Sequence, residues 1–470
     1  MEERIRQLPH FKKISDVIWE IPTSYKRGMK VPARIIATEK LLREMEWEVF
    51  DQITNVATLP GIVRAAYCMP DGHVGYGYPI GGVAAFDLEE GIISPGGIGF
   101  DISCGMRLMR TDLTVKEVLP RLHDLVDTLF GSIPAGVGAR SDLRVSPKEL
   151  EEVMTKGARW AVEKGYGRRE DLENIEEKGE ISGADPEAVS QHARERGISQ
   201  LGTLGSGNHY LEIQKVEKIF DQPTAQEMGV TGVDQIVVMI HTGSRGFGHQ
   251  IGTDYLRIFE GAMAKYKISV PDRQLACAPF KSKEGQDYFG AMTAAANLAF
   301  ANRQIIMQQV RNVFEKIFDR GEESLGLDLI YDVAHNIAKI EEYEGKKLVV
   351  HRKGATRSFP GQPVIIGGSM ESGSYLLMGT EKAIRETFAS TAHGSGRTMS
   401  RAKAKRQVRG DTLQKEMEER GIYVRTVSFA GLAEEAGVAY KNISEVVETL
   451  DRAGISKKVA SFVPIGNIKG

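Results

Sequence analysis

Apolar residues recur at helical spacing over residues 36–53 (IATEKLLREMEWEVFDQI), which predicts a helix there. Alanine content and apolar spacing predict a longer helix over 288–318, YFGAMTAAANLAFANRQIIMQQVRNVFEKIF. Beyond the first helix the pattern changes three times. From MPDGHVGYGYPIGGVAAF through ISPGGIGFDISCGMR, glycine is too dense for helix interiors and suits tight turns or close approach to a ligand. Residues 115–200 then become helical and charged, with the acidic stretch ENIEEKGEISGADPEA. Within them, residues of about 140–200 read as a helical surface insertion with no catalytic role. Short β-rich runs follow. HYLEIQKV comes after GTLGSGN, IVVMI precedes HTGSRGFG, LDLIYDVA precedes HNIA, and LVVHRKGATR and VIIGG come next. The tail holds a shorter helical or β-helical stretch before VASFVPIGNIKG. Strands and helices interleave without regular βαβ spacing. An α+β fold of mixed sheets is therefore predicted, not a doubly wound Rossmann or P-loop fold. With no fixed-period repeat and no low-complexity linker, residues 1–470 read as a single domain.

Composition narrows the classes. The chain has 470 residues, 41% of them hydrophobic and 26% charged, which allows a large core. Its formal net charge is -2, so binding to a polyanion would need a local patch. The stretch MEERIRQLPHFKKISDV is charged from its second residue and reads against a secretory signal. No apolar run approaches the roughly 18 residues of a membrane span. Three cysteines, Cys68, Cys104 and Cys277, are too few for a disulfide framework and fit a reducing cytoplasm.

The candidate chemistry lies at strand ends. His209 opens HYLEIQKV, His241 follows IVVMI and His335 follows LIYDVA. Asp101 and Cys104 stand three apart between glycines, so a carboxylate and a thiolate can converge in one turn. Singly, each has an ordinary structural explanation: a bonded core histidine, a small buried thiol, a turn cap. Together they suit one or two transition metals. Thiolate and imidazole favour zinc, whereas carboxylate and an oxygen-rich substrate favour manganese or magnesium, and a bridging cysteine reconciles the set. There is no GxxxxGK[ST] sequence and no Lys-x-Asp-Gly. The turns GTLGSGNH, HTGSRGFG, IIGGSMESGSY and AHGSGR nevertheless offer backbone N–H groups to phosphate. After His393 comes a basic run, Arg401, Lys403, Lys405, Arg406 and Arg409, with no acid before Asp411.

The ordered set GGIGFDISCGMR, SGNHYLEI, MIHTGSRG, DVAHN, GGSMESGSY, TAHGSGR and NIKG resembles the RtcB family of RNA-splicing ligases, from about Pro70 to Gly470. The resemblance implies two Mn²⁺ ions held by Asp101, Cys104, His209, His241 and His335, with the cysteine shared. It implies that GTP is a cosubstrate and that His393 becomes covalently guanylylated. Asn208, Glu212, Gly367, Gly368, Ser369, Met370, Ser374 and Lys469 match positions around the guanylate, together with His209 and His335. Asn336 and Arg397 match neighbours of the phosphates, as Tyr440 matches a neighbour of the base. Gly394, Ser395 and Gly396 belong to the turn around His393. Asp71, in MPDGH, matches a motif position with no role attached. The implied reaction joins an RNA 3′-phosphate or 2′,3′-cyclic phosphate to a 5′-hydroxyl, in tRNA splicing or RNA repair. Arg401, Lys403, Lys405 and Arg406 would then guide RNA. The implied enzyme is a cytoplasmic monomer with no membrane contact, and an archease-like activator is among its partners. The rival use of the same metal shell is a phosphoesterase or nuclease, which leaves His393 without a task. A cysteine hydrolase on Cys104, or an RNA-binding protein with structural metals, accounts for less.

Overall fold

The computed structural model describes residues 9–470; the first eight residues, part of the charged N-terminal stretch read above, lie outside the described residues. Two large sheets carry the fold. One is seven-stranded, in the order Lys12–Ser15, Ile18–Ile21, Ala33–Ile36, Ile62–His73, Ile80–Asp87, Lys346–Lys353, Asn336–Tyr343. The other is eight-stranded and runs Leu329–Ala334, Gly105–Thr114, Gln235–Thr242, Tyr210–Ile219, Ser456–Lys469, Ser374–Gly379, Pro363–Gly367, with Tyr423–Thr426 parallel to Ser456–Lys469. Most neighbours are antiparallel, which gives the predicted α+β class and no doubly wound strand order.

Local chemistry explains where the elements differ from the sequence pattern. The 36–53 segment is not one helix but two, Glu39–Glu44 and Trp47–Val56. Met45 and Glu46 between them are extended, and the Glu46 carboxylate accepts the Val74 N–H at 3.1 Å. Part of the glycine-dense region forms the strands Ile62–His73 and Ile80–Asp87. LVVHRKGATR is broken at Gly354, whose φ of +59° ends one strand before Ala355–Arg357 begins. The long helix starts earlier than its pattern, at Lys283–Phe318, because the Ser282 hydroxyl caps the Gly285 N–H. It is buried on nearly every side, as a helix at the centre of a core must be. Segment 140–200 forms the helices Pro147–Lys156, Ala158–Glu163 and Gln191–Gln200 with short 3₁₀ turns between. Most of its charged residues are exposed or half-buried, but Asp171 and Glu176 are buried, and Leu150, Val153, Met154 and Trp160 are buried in one cluster with the long helix. The tail resolves into the helix Ile443–Ala453 and the 14-residue strand Ser456–Lys469.

The second sheet sets up the site. In four adjacent antiparallel strands, every second strand ends where its neighbours begin. Ala334 pairs with Gly105 and Gly105 with Thr242, while Met106 pairs with His241 and His241 with Tyr210. One edge of the sheet therefore gathers residues more than two hundred positions apart.

Candidate active site

At that edge the five predicted ligands converge. Cys104 precedes its strand, His209 precedes the next but one, His241 lies within the strand between them, and His335 follows the outer strand. Two overlapping trios result, Cys104 with His241 and His335, and Asp101 with Cys104 and His209; within each trio the ligand atoms lie within 4.8 Å of one another. Cys104 Sγ lies 3.2 Å from His241 Nε2 and 3.4 Å from His209 Nε2. His241 Nε2 is 3.3 Å from His335 Nε2, and His209 Nε2 is 2.7 Å from Asp101 Oδ2. The donors fit two divalent cations that share the sulfur. Asp101 Oδ1 and His335 Nδ1 are buried with no partner among the described residues. Burial and the Asp101 carboxylate push the Cys104 thiol well up, so a neighbouring cation is what would make it a thiolate. Burial tends to raise Asp101, but His209 and Arg245 win and bring it to about 2. Burial holds all three imidazoles below their ordinary range, which leaves them uncharged and able to ligate.

His393 approaches from a separate two-stranded sheet, in which Ala355–Arg357 pairs with Ser390–Ala392. It follows Ser390–Ala392, and its loop is stitched to the Pro363–Gly367 strand by Gly367 N–H to His393 O (3.3 Å) and Ser395 N–H to Gly367 O (3.0 Å). Asp71, fully buried in the Ile62–His73 strand, receives three bonds on Oδ2: His393 Nδ1 at 2.6 Å, His393 N–H at 3.0 Å and Gly394 N–H at 3.3 Å. Burial tends to raise Asp71, but the His393 ring and N–H pull it below the ordinary carboxylate value. Gly396 has φ +74° and lies against the Asp71 backbone, so a side chain there would push the loop off its carboxylate. His393 Nε2 has no protein partner among the described residues, and the ring centroid is 4.9 Å from that of His335.

The ligand set, His393 and every other singled-out site residue except Asp71, Glu212, Ser374, Lys403, Lys405 and Arg406 line one cavity, of about 1120 Å³. That exceeds the roughly 300–1,000 Å³ of a typical small-molecule pocket. Glu212 and Ser374 are buried behind its wall. Glu212 accepts from Gln214 Nε2 and from Asn467 Nδ2, each at 2.5 Å, and Gln214 Nε2 also donates to Ser374 Oγ at 3.1 Å. Burial raises Glu212 to about 7, although Gln214, Lys469 and Asn467 each oppose it. Burial lowers Lys469, whose Nζ lies 5.6 Å from the Tyr210 ring centroid.

The basic run divides. Arg401 Nε donates to Glu435 at 2.9 Å and Lys405 Nζ pairs with Glu434 at 2.7 Å, so acids thirty residues onward neutralise two of the four predicted cations. Lys403 and Arg406 have no ion pair among the described residues. Arg397 donates to Glu435 and to the Tyr440 hydroxyl, each at 3.1 Å. Glu435 is a hub the sequence reading missed. Burial tends to raise it, but Lys469, Arg401 and Arg397 bring it to about 2. Arg245, 3.1 Å from His209 Nδ1, was also missed, although it stands in HTGSRGFG. So was Lys353, which burial lowers to about 7 and whose Nζ bonds only to the carbonyls of Tyr76, Tyr78 and Gly96.

A sequence model of the family described as tRNA-splicing ligase RtcB matches residues 52–470. A curated tRNA-splicing ligase RtcB of Archaeoglobus fulgidus is 55% identical, across 98% of this chain and 98% of its own length. Those of Thermococcus kodakarensis and Methanococcus maripaludis are 52% and 50% identical, across 99% and 97% of this chain and 100% and 99% of their own. No helix among the described residues is long and apolar enough to cross a membrane. With a matching family model over most of its length and relatives of this similarity end to end, the chain belongs to the RtcB family of tRNA-splicing ligases.

Proposed function

We propose that this RNA ligase joins an RNA 3′-phosphate, or a 2′,3′-cyclic phosphate opened first by water, to an RNA 5′-hydroxyl, using GTP and a guanylyl-histidine. The observation that carries the reading is the Asp71–His393 pair at 2.6 Å beside the ligand set. Asp71 keeps the Nδ1 proton in place, which leaves the Nε2 lone pair free to attack. His393 Nε2 bonds to the α-phosphorus of GTP, the bond to the bridging oxygen breaks, and pyrophosphate leaves. An oxygen of the RNA 3′-phosphate then takes the guanylyl group, and the histidine regains its lone pair. Finally the 5′-hydroxyl attacks the 3′-phosphorus, its proton passes to solvent, and GMP departs. Without this activation the hydroxyl would have to expel oxide from a phosphate dianion.

Two Mn²⁺ ions would be held by the trios that share Cys104, and when bound they neutralise phosphate charge. The remaining steps belong to the side chains. Lys469 at the cavity wall can donate to guanine O6. Glu212 lies behind the wall with one bond on each oxygen and further lone pairs free. Beside it, Gln214 Oε1 and Asn467 Oδ1 are buried acceptors with no donor among the described residues. This acceptor-rich corner suits guanine, whose N1–H and N2 amino group donate, and disfavours adenine, whose N1 accepts. On this reading the enzyme works in the cytoplasm as a monomer on tRNA halves or broken RNA, with an archease-like activator.

The test is labelling. Pure protein with α-labelled GTP and Mn²⁺ is expected to form an acid-labile, alkali-stable adduct that His393→Ala lacks. Metal-loaded wild type with no adduct would favour the phosphoesterase reading. An adduct formed equally from ATP would remove the guanine corner alone.

A further inference from the structure

We propose that Arg303 is a positioning residue for the metal-ligand set, clamping the three backbone segments that carry Cys104, His241 and His335. The inference rests on reading that set as a metal site. Arg303 projects from the Lys283–Phe318 helix, is fully buried and does not line the cavity. Its Nη1 donates to Ser103 O at 2.8 Å and to Thr242 O at 3.0 Å. Ser103 immediately precedes Cys104, and Thr242 immediately follows His241. The rest of the guanidinium forks onto Asp332. Nε lies 2.8 Å from Oδ2 and 3.1 Å from Oδ1, and Nη2 lies 2.9 Å from Oδ1. Asp332 stands three residues before His335, on the strand that ends at Ala334.

Two further features agree with a clamp. Ser103 is held at φ 55°, a left-handed conformation that a non-glycine residue keeps only where its surroundings over-determine it. Its N–H donates to Asn336 O at 2.7 Å while its carbonyl meets Arg303, so both sides of the strained residue are tied to ligand-bearing chain. Gly105, on the other side of Cys104, leaves room for the guanidinium: a Cβ there would come within 3.0 Å of Arg303 Cζ. Asp332 is in turn shared with Arg107 Nε at 2.7 Å. Two arginines around one carboxylate, all without exposed surface, are a poor way to gain stability, since apolar residues of similar volume often serve as well or better. What apolar residues cannot do is fix two carbonyls and a carboxylate at set distances from one rigid helix. Ligand spacing for shared cations needs that kind of support.

Arg303→Lys keeps the charge, but its single ammonium cannot hold the two carbonyls and also fork onto Asp332 as Nη1, Nε and Nη2 do together. The full-length protein, stripped of metal, is titrated with Mn²⁺ by calorimetry, and its melting is followed with and without Mn²⁺. The expected result is Mn²⁺ affinity about 10- to 100-fold weaker, as for other supports of metal ligands, and a smaller Mn²⁺-induced rise in melting temperature. A folded Arg303→Lys protein with the parent's isotherm overturns the clamp and leaves the metal site standing, even if its metal-free melting temperature falls. A parent that takes up no Mn²⁺ overturns both. If Arg303→Lys does not fold, the isosteric Asp332→Asn reads the same clamp from its other side. Weakened Mn²⁺ binding supports it, and parental binding overturns it.

Discussion

The floor of the cavity and its rim are built on different principles. On the floor, Asp101, Cys104, His209, His241 and His335 sit at or beside the ends of paired strands, so sheet register sets their spacing. Buried guanidiniums brace them from below, and Glu176, from the 140–200 segment, accepts the Ala334 N–H at 2.8 Å directly before His335. At the rim, Arg401, Lys403, Lys405 and Arg406 stand on a helix of seven residues, and their positions depend on long side chains and on Glu434 and Glu435. On the proposed function, groups that must meet one phosphorus atom would be held by backbone, and groups that need only attract a polyanion would be held by charge, which salt screens and neighbours exchange.

If that contrast is right, the largest effect comes from one floor residue. Cys104→Ala is expected to lower RNA joining by at least about 10³-fold, because the sulfur is the ligand common to both trios. Circular dichroism should show the fold retained. Retained ligation would mean that the trios are structural, and the distinction between floor and rim would fail. Asp71→Asn comes next. The amide keeps the shape but can present an N–H to Nδ1, which favours the wrong tautomer. A loss of about 10²- to 10⁴-fold in guanylylation rate is expected, as when the carboxylate behind a catalytic histidine becomes an amide. Single-turnover labelling measures it, and a rate within a few-fold of the parent would reduce Asp71 to a loop anchor.

How much of this could be read from the sequence follows the same division. The ligand residues were legible because the three histidines flank apolar runs near glycine or asparagine, and Asp101 and Cys104 stand three apart between glycines. Which strands become neighbours was not, since register between Gly105 and Thr242 is settled by tertiary pairing. The task of Asp71 was hidden because it needs the Ile62–His73 strand of one sheet to reach a loop 322 positions away. The basic run looked unopposed because its acids come from a later turn. The broken 36–53 helix shows the local limit: its periodicity survives the break at Met45–Glu46, which answers to Val74, a residue outside the window.

A third effect is smaller and concerns the wall. Glu212 has its folded pKa raised from 4.5 to about 7 by burial. Its unfolded form releases the proton more readily, so the native state binds more protons between those values and stability falls as pH rises through that window. The penalty is absent below about pH 4.5 and complete above about pH 7, where it amounts to roughly 3 kcal/mol. Glu212→Gln removes it. Urea midpoints should show the variant gaining on the parent between pH 5 and pH 8, together with weaker discrimination of GTP from ATP. A constant difference across that range would mean that the carboxylate is already ionised, held by Gln214 and Asn467.

The smallest effect belongs to the rim. Charge counting alone treats Lys403, Lys405 and Arg406 as equal, so their triple alanine variant should lower the salt slope of RNA binding by nearly three contacts. The pairing says otherwise. Lys405 already faces Glu434 at 2.7 Å, and removing it also frees that carboxylate near the track. Single-strand contacts contribute about 0.7 each to the slope, so Lys403 and Arg406 together should account for roughly 1.4. Lys405→Ala alone should change the slope little, and Glu434→Gln should raise affinity by making Lys405 available. Guanylylation should be unchanged in all of these variants, because none of the three cations lines the cavity. A Lys405→Ala slope equal to that of Lys403→Ala would show that RNA displaces Glu434 on binding. The rim would then be a switchable surface whose pairing belongs only to the RNA-free enzyme.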